Sequence, residues 1–360
     1  MVREVPHFTP TTPVVSVLMV THDAERTVRR AIESVQNQTL KNFELVVVDA
    51  GSSDATARQI KAAAERDLRI ETLYVDECSR QEGLDLALER SRGAYVVVMD
   101  PDGWARPTML SSLVSRAREK SLDLVVGGFG LELVVAGQPG ERTVAADDVT
   151  YPTQHEFRAD AWRLFETGQL LPASAKLFSR ELVESSGARF TSGLRGDHAF
   201  TIAALRDAER VGVCGGACYR IDRSARSAGG AEDLPKSFGD LEAEHGALLD
   251  LYRHWGLDGD AASMGMLQNR YVEQLVALVE EVCRPRGIVG GSEQRRAVAR
   301  MLGTEHARLA VSVARPKSNR VRSMLVPMRA QNVAIVCAQA RLLSLVRHGG
   351  GSDVPADVFV

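Results

Sequence analysis

The sequence predicts an α/β fold in which a mostly parallel sheet carries helices on both faces, followed by a helical carboxyl-terminal region. In the first 130 residues, short β-branched apolar runs alternate with segments of helical spacing. That order builds a parallel sheet with right-handed crossovers. From about Phe238 to Arg347 the spacing is mostly helical. The length of 360 residues and the apolar content of 44% suit one large domain with an appendage, or two domains.

The predicted elements of the first part follow a regular β-α order. The strands are the apolar runs at 14–20, 43–50, 70–75 and 94–100. The helices between them are 25–37, 54–66 and 80–91, the second with Ser53 or Asp54 as its N-cap. In a sheet of this kind, functional residues lie in the loops beyond the carboxyl ends of the strands.

The middle of the chain is less regular. A helix is predicted from Pro107 to about Lys120, followed by two strands within 122–135 that are separated at Gly127-Gly128, and a turn at 137–141. Residues 154–230 mix short helices with strands, and 231–237 is a loop-like boundary. The helical region beyond it is interrupted near 256–260, 285–291 and 315–317.

These patterns divide the chain into an N-terminal extension (1–13), an α/β domain (14–230), a helical carboxyl-terminal region (238–348) and a flexible tail (349–360). The opening residues lack the apolar run of a signal peptide, and no stretch is long and apolar enough to span a membrane. The five cysteines are scattered, as is typical of reduced thiols. We therefore expect a cytoplasmic protein.

Charge is distributed unevenly along the chain. The net charge is −3, but residues 306–352 contain no Asp or Glu and eight Lys or Arg. This segment predicts either an anionic partner, such as the inner face of the cell membrane or an anionic polymer, or only a solvated basic helix face. We expect no nucleic acid, because aromatic residues do not interleave the basic ones. Apolar side chains there favour core packing, with a homo-oligomer interface as the alternative; they are Leu325, Met328, Val333, Val336, Leu342, Leu345 and Val346.

Acidic residues follow the predicted strands. The run VVVMD ends on Asp100, and Asp102 follows with only Pro101 between them. Two carboxylates in this spacing suit Mg²⁺ or Mn²⁺, whose remaining ligands come from substrate phosphates. An ordinary D-P-D-G turn is the alternative. Because Asp49 ends the second strand at the same predicted edge, mutual repulsion favours a site that binds a cation there.

The motifs together resemble the family 2 glycosyltransferases of GT-A fold, in particular capsule, exopolysaccharide and teichoic-acid type members. The matching segments are SVQNQT (34–39), GSSDAT (51–56), DPD (100–102), KLFSRELVESSGARF (176–190) and RGDHAF (195–200). The resemblance covers about residues 14–227 and implies that 14–230 is a nucleotide-sugar-dependent glycosyltransferase domain. It departs from the family pattern at His22-Asp23, at Ala50, at Gly196 and over 77–85. In the last segment the family arginine aligns with Leu84, and Arg80 is the nearest replacement.

By this resemblance, Thr21, His22 and Glu25 line a nucleotide pocket, with an exposed loop histidine as the alternative for His22. Asp49 would accept the N3 hydrogen of uracil, which implies a UDP-sugar donor. Asp100 would contact the ribose and the metal's water shell, and Asp102 would bind Mn²⁺ or Mg²⁺ directly.

On the acceptor side, the resemblance makes Asp197 the general base of an inverting transfer to a glycan, lipid-linked or anionic polymer acceptor. An N-cap role for the helix that begins at His198 is compatible with it. Trp104 is either an acceptor platform or a core residue, and Lys176 supports the acceptor side. A basic loop over the diphosphate, or a plain surface loop, accounts for Arg220, Arg223 and Arg226.

A catalytically degenerate member that acts as a binding or scaffold subunit through its basic helical region is the main alternative. The lost family segment favours it, and the retained Asp49, Asp100, Asp102 and Asp197 oppose it. A nucleotidyltransferase and a dinucleotide-binding enzyme are excluded, because no glycine-rich loop follows the first strand.

Overall fold

The structure is a computed structural model and describes residues 12–135, 138–191, 193–194, 196–222, 234–284 and 291–348. Its strands are β1 (Val15–Thr21), β2 (Phe43–Ala50), β3 (Ile70–Val75), β4 (Tyr95–Val98), β5 (Gly103–Ala105), β6 (Leu124–Val135), β7 (Gln138–Val144), β8 (Val149–Tyr151), β9 (Lys176–Ser179) and β10 (Val211–Asp222).

The first seven helices are α1 (Val28–Gln36), α2 (Thr56–Ala64), α3 (Arg80–Arg90), α4 (Met109–Lys120), α5 (Gln154–Glu166), α6 (Arg180–Ser185) and α7 (His198–Asp207). The carboxyl-terminal region contributes α8 (Leu234–His254), α9 (Ala261–Val282), α10 (Gly291–Gly303), α11 (Glu305–Val313), α12 (Asn319–Arg329) and α13 (Val333–His348).

The described strands form one mixed sheet in the order β3-β2-β1-β4-β9-β6-β10-β5, with β7 added on β6 and β8 on β10. Strands β1 to β4 pair in parallel, as predicted. Strand β9 is antiparallel to both β4 and β6, so the second half of the sheet is mixed. The strand order reverses at β1, with β2 on one side and β4 on the other. In open α/β sheets ligands bind beyond the carboxyl ends of the strands at such a reversal, here β1 and β4.

Four predictions about local structure are wrong. The stretch 231–237, expected to be a loop, is helical from Leu234 onward, where α8 begins. β6 is one strand through Gly127 and Gly128, and the expected turn at 137–141 lies from Gln138 onward in β7. The N-cap of α2 is Ala55, one residue beyond Asp54, although an Asp54 carboxylate oxygen accepts from the backbone N of Thr56 at 2.8 Å.

The glycine pair in β6 serves close packing. A Cβ at Gly128 would lie 2.6 Å from the carbonyl oxygen of Gly216 on β10, and a Cβ at Gly127 would lie 2.8 Å from that of Ala175. Real Cβ atoms do not approach backbone so closely. The glycine pair, which predicted a break, therefore marks a place where neighbouring backbones approach closely.

Two apolar layers cover the sheet. Because side chains alternate along a strand, Val17 and Met19 of β1 pack against α1, α2 and α4, while Leu18 and Val20 face the opposite layer with α3, α5 and α7. That second layer continues into α8 and the start of α9. The remaining carboxyl-terminal helices pack around α9 in a third cluster.

The basic segment 306–352 contributes to this third cluster. Leu325, Met328 and Val336 are buried, which confirms core packing for them, whereas Leu342 is exposed and the side chains of 345 and 346 lie outside the described residues. Lys317 forms an ion pair with Glu166 at 2.8 Å. Among the described helices, none combines the length and the apolar character that crossing a membrane requires.

Candidate active site

The loops after β1 and β2 form one side of the candidate site. Thr21 is in register with Asp49 and donates from Oγ1 to Oδ1 of Asp49 at 3.1 Å. The Ser52 hydroxyl donates to the same oxygen. His22 contacts the Ala50 carbonyl through Nδ1 at 2.8 Å; because a carbonyl only accepts, Nδ1 carries the hydrogen. Asp49 is thus buried in one fixed orientation, with the largely exposed His22 ring beside it.

Hydrogen bonds from backbone amides to side-chain carboxylates join the two loops. Asp23, in the left-handed region at φ 45°, accepts from the Ser53 amide at 2.8 Å. The Glu25 carboxylate accepts from the Ala55 amide at 3.0 Å, and the Glu25 amide donates to Asp54 at 3.1 Å. Glu25, expected to line the nucleotide pocket, holds the loop after β2 in this structure.

The Asp100-Pro101-Asp102 stretch turns sharply at the end of β4. The backbone N of Gly103 donates to the Asp100 carbonyl at 3.0 Å and closes the turn. The backbone N of Asp100 donates to the Tyr219 hydroxyl at 2.8 Å, and that hydroxyl lies 3.4 Å from Oδ2 of Asp100. A Cβ at Gly103 would lie 1.9 Å from the same hydroxyl oxygen. Glycine is therefore required here so that Tyr219 can support the turn.

Arg80 joins two acids from distant parts of the chain. Its Nη2 donates to Oδ1 of Asp100 at 2.7 Å, and its Nη1 lies 3.6 Å from Oδ2 of Asp197. Arg80 is the first residue of α3, whose N-terminus is fixed by a capping box between Ser79 and Glu82. Burial opposes the arginine charge, but the two carboxylates outweigh burial and raise the pKa of Arg80.

Asp197 occupies the N-cap position of α7, as expected. Among the described residues, its side chain makes no capping hydrogen bond to that helix, and it lies instead beside Arg80. Lys176 is fully buried and donates from Nζ to the carbonyls of Gln169, at 2.7 Å, and Pro172. Burial lowers the pKa of Lys176 to about 7, and the charge of Asp197 opposes that shift.

Two other expected site residues, Arg220 and Trp104, contact residues that were not expected at the site. Arg220 is adjacent to Tyr219 on β10, so its side chain leaves the opposite face, where it pairs with Glu141 at 2.6 Å. One face of Trp104 is covered by the Arg30 guanidinium, 3.7 Å from the ring centroid. The predictions for Arg223 and Arg226 fall outside the described residues.

Sequence reasoning missed three contributors. Ser52, Tyr219 and Gln169 contact Asp49, Asp100 and Lys176 respectively. Ser52 belongs to the GSSDAT motif and follows Asp49 by three residues, so its contact with Asp49 was predictable from the local sequence. Tyr219 and Gln169 act through pairings across the sheet, for which the linear pattern carries no signal.

A sheet whose parallel strands end on Asp49 and on an Asp-x-Asp pair, with a further acid at the start of α7, defines a GT-A glycosyltransferase domain. Residues 16–185 match the family described as Glycosyl transferase family 2, so this segment is similar to members of that family.

Related proteins agree with this assignment. The uncharacterized glycosyltransferase EpsJ of Bacillus subtilis is 24% identical over 255 residues, which cover 69% of this chain and 72% of EpsJ. The putative teichuronic acid biosynthesis glycosyltransferase TuaG of the same organism is 28% identical over 141 residues, 39% of this chain and 56% of TuaG. The match therefore spans about half the length of TuaG.

The fold extends to solved structures. The crystal structure of S. aureus TarS 1–349 superposes with a TM-score of 0.62 and covers 94% of this chain and 93% of TarS 1–349, at 16% sequence identity. The same TarS fragment is also solved in complex with UDP-GlcNAc. At this identity the likeness establishes a shared fold that includes the carboxyl-terminal helices.

Proposed function

We propose that this protein is an inverting, metal-dependent glycosyltransferase that moves a sugar from a UDP-sugar to a hydroxyl of a glycan, lipid-linked or polymer acceptor in cell-surface polysaccharide synthesis. One observation carries the proposal. Arg80 brings Asp100, the candidate diphosphate-side acid, next to Asp197, the candidate base. The UDP-GlcNAc complex of TarS and the teichuronic acid role in the name of TuaG support the donor and the acceptor class.

The base pocket favours uracil. Two hydroxyls, from Thr21 and Ser52, donate to Oδ1 of Asp49 and orient its carboxylate. A carboxylate accepts the N3 hydrogen of uracil, whereas cytosine presents an acceptor at that position and would be repelled. The exposed ring of His22 contacts the carbonyl of Ala50, the residue after Asp49, and would stack on the base.

The acids after β4 fit a divalent cation. Asp100 and Asp102 offer hard oxygen donors and are separated by one residue, Pro101. No group of three His, Cys, Asp or Glu side chains among the described residues is arranged to hold a metal alone. Mg²⁺ and Mn²⁺ need no such cage where substrate phosphates complete the ligand shell. When bound, the metal would neutralise the leaving diphosphate.

The residues of this chain divide the remaining work. Asp197 removes the proton of the acceptor hydroxyl as that oxygen attacks the anomeric carbon. Arg80 places a positive charge between Asp100 and Asp197, so the two acids tolerate each other before substrate binds. When a diphosphate enters, the same guanidinium is close enough to share its hydrogen bonds with phosphate oxygens.

The carboxyl-terminal helices would also place the enzyme at an anionic membrane. Exposed arginines accompany exposed apolar side chains on α11 and α12, for example Arg308 beside Leu309 and Arg322 near Val326. Each basic residue near an anionic surface contributes roughly 1 kcal/mol. Sedimentation with vesicles of phosphatidylglycerol, compared with neutral vesicles, tests this contact. Equal recovery with both would exclude charge-driven docking.

Thermal shift tests the donor and the metal together. UDP, GDP and CDP are each added with and without Mn²⁺, to wild type, to Asp102→Ala and to the control Asp258→Ala, an exposed acid between α8 and α9. We expect stabilisation only with UDP and Mn²⁺, lost in Asp102→Ala and kept in the control. Absence of UDP binding, together with no UDP release from any UDP-sugar, would favour the scaffold alternative.

A further inference from the structure

Three hydrogen-bonded side chains, His198, Glu244 and Arg270, link α7 to the carboxyl-terminal helices. Nδ1 of His198 lies 2.6 Å from Oε2 of Glu244 on α8. The other oxygen of Glu244 accepts from Nη2 of Arg270 on α9 at 2.8 Å. His198 is 2% exposed and Glu244 is 5% exposed. His198 and Glu244 therefore connect the sheet domain to the helical region in a buried setting, while the Arg270 side chain is 17% exposed.

The partners of Glu244 favour its ionised form. Burial disfavours the Glu244 carboxylate, but Arg270 and then His198 outweigh burial and hold the pKa of Glu244 well below its ordinary value. A carboxylate only accepts hydrogen bonds, so Nδ1 of His198 is the donor. Buried ion pairs return little net stability relative to apolar packing. Their position is therefore more informative than their contribution to folding.

That position is directly next to the candidate base. His198 is the first residue of α7, and Asp197 immediately precedes it. On the other side of Asp197, the Gly196 carbonyl accepts from Nε2 of Gln81 on α3 at 3.0 Å. Asp197 is thus held between two anchors, one from α3 and one from α8. Its own carboxylate remains directed at Arg80 rather than engaged in capping α7.

We propose that Glu244 and Arg270 are positioning residues for Asp197, which makes α8 and α9 part of the catalytic unit. This inference rests on the proposed function, in which Asp197 is the base. It assigns a role to helices that the recognised motifs do not reach. Small displacements of a catalytic group lower turnover steeply, while substrate affinity is set elsewhere.

A matched pair of variants on α8 tests the proposal. Glu242, two residues from Glu244, also joins carboxyl-terminal helices through Tyr271 and His306, but its contacts lie away from α7. Glu244→Gln and Glu242→Gln are compared by the rate of UDP release from UDP-GlcNAc with Mn²⁺. We expect kcat to fall about tenfold or more in Glu244→Gln with the Kd for UDP nearly unchanged. Glu242→Gln is expected to keep kcat within about twofold.

A measurement that needs no turnover accompanies the kinetics. Hydrogen–deuterium exchange of the peptide covering the start of α7 should quicken in Glu244→Gln and stay at the wild-type rate in Glu242→Gln. Should Glu244→Gln fail to fold, His198→Ala cuts the same link while Arg270 still pairs with Glu244. Arg270→Lys keeps the charge and should retain most of kcat.

The outcomes separate the two proposals. Equal kcat in both α8 variants, or equal exchange at α7, would overturn the positioning role. A wild-type protein that releases no UDP would instead overturn the proposed function, and exchange alone would then decide whether Glu244 holds Asp197. If Asp197→Asn keeps full kcat, Asp197 is not the base, whatever Glu244 does.

Discussion

The guanidinium of Arg80 donates to the carboxylate of Asp100 at 2.7 Å and so ties the start of α3 to the end of β4. The family arginine expected in this region is absent from its aligned position, which Leu84 occupies. Arg80 lies four residues earlier, one helical turn away, at the N-terminal end of the same helix. A positive charge thus reaches Asp100 and Asp197, on the proposed diphosphate side, from a different position.

Arg80→Gln should weaken diphosphate binding. Removing the guanidinium takes away a charge-assisted donor, so we expect kcat/KM for the UDP-sugar donor to fall about 100-fold. Calorimetric affinity should fall for UDP but not for UMP, which lacks the second phosphate. Arg90→Gln, an exposed change in the last turn of α3, serves as control. Equal losses for UDP and UMP would place Arg80 outside the diphosphate site.

Asp197→Asn should remove the proposed general base and leave the binding of UDP unchanged. General-base removal typically lowers turnover about 10²- to 10⁴-fold, and we expect a fall in kcat of that order with the Kd for UDP preserved. Asp207→Asn, at the other end of α7 and exposed, should leave kcat intact. A parallel loss of UDP affinity in Asp197→Asn would indicate a role in donor binding.

Lys176 gives stability a pH dependence of known sign. Its folded pKa is depressed to about 7, below the ordinary value for lysine. Between these two values the unfolded chain binds more protons than the folded one, so Lys176 makes stability rise with pH at up to about 1.4 kcal/mol per unit. Denaturant unfolding of wild type and Lys176→Met from pH 6 to 9 isolates this effect. A stability difference that stays constant above pH 7 would contradict the depressed pKa.

Gly103→Ala should damage the turn that carries Asp100. Its Cβ would lie 1.9 Å from the Tyr219 hydroxyl oxygen and 2.4 Å from the adjoining ring carbon, so the ring must move. Overpacking of this kind costs about 1–3 kcal/mol. The control is Gly265→Ala on α9, where a Cβ meets nothing within 4 Å; it should stabilise by up to about 1 kcal/mol. Equal melting temperatures would show that Tyr219 yields easily.

Much of the fold was predictable because strands and helices leave a recognisable pattern of apolar residues in the local sequence. The limits of β2 and β3 agree with the runs FELVVVDA and IETLYV, since buried parallel strands are continuous apolar stretches. The position of Asp49 at the sheet edge follows from the same pattern. Glycine can either interrupt a strand or allow close packing within it. At Gly127-Gly128 the sequence pattern predicted an interruption, whereas the structure has one continuous, closely packed strand.

The partners of the site residues were less predictable, because they depend on sheet order. Tyr219 reaches Asp100 only because β10 pairs with β5 beyond the turn. Likewise, nothing in the segment RGDHAF indicates that His198 meets Glu244 on a helix of the carboxyl-terminal region. These contacts join residues far apart in sequence, and a motif read from one segment does not contain them.

The aromatic packing between the sheet domain and α8 limits the exchange of segments between related proteins. Phe165 and Phe157 on α5 contact Tyr252 and Trp255 through ring pairs 5.9 Å apart. A chimera that joined residues 12–222 to the helices of another family member would face these rings with unmatched shapes. Exchange of whole segments is therefore expected to lower stability unless residues on both sides of this interface change together.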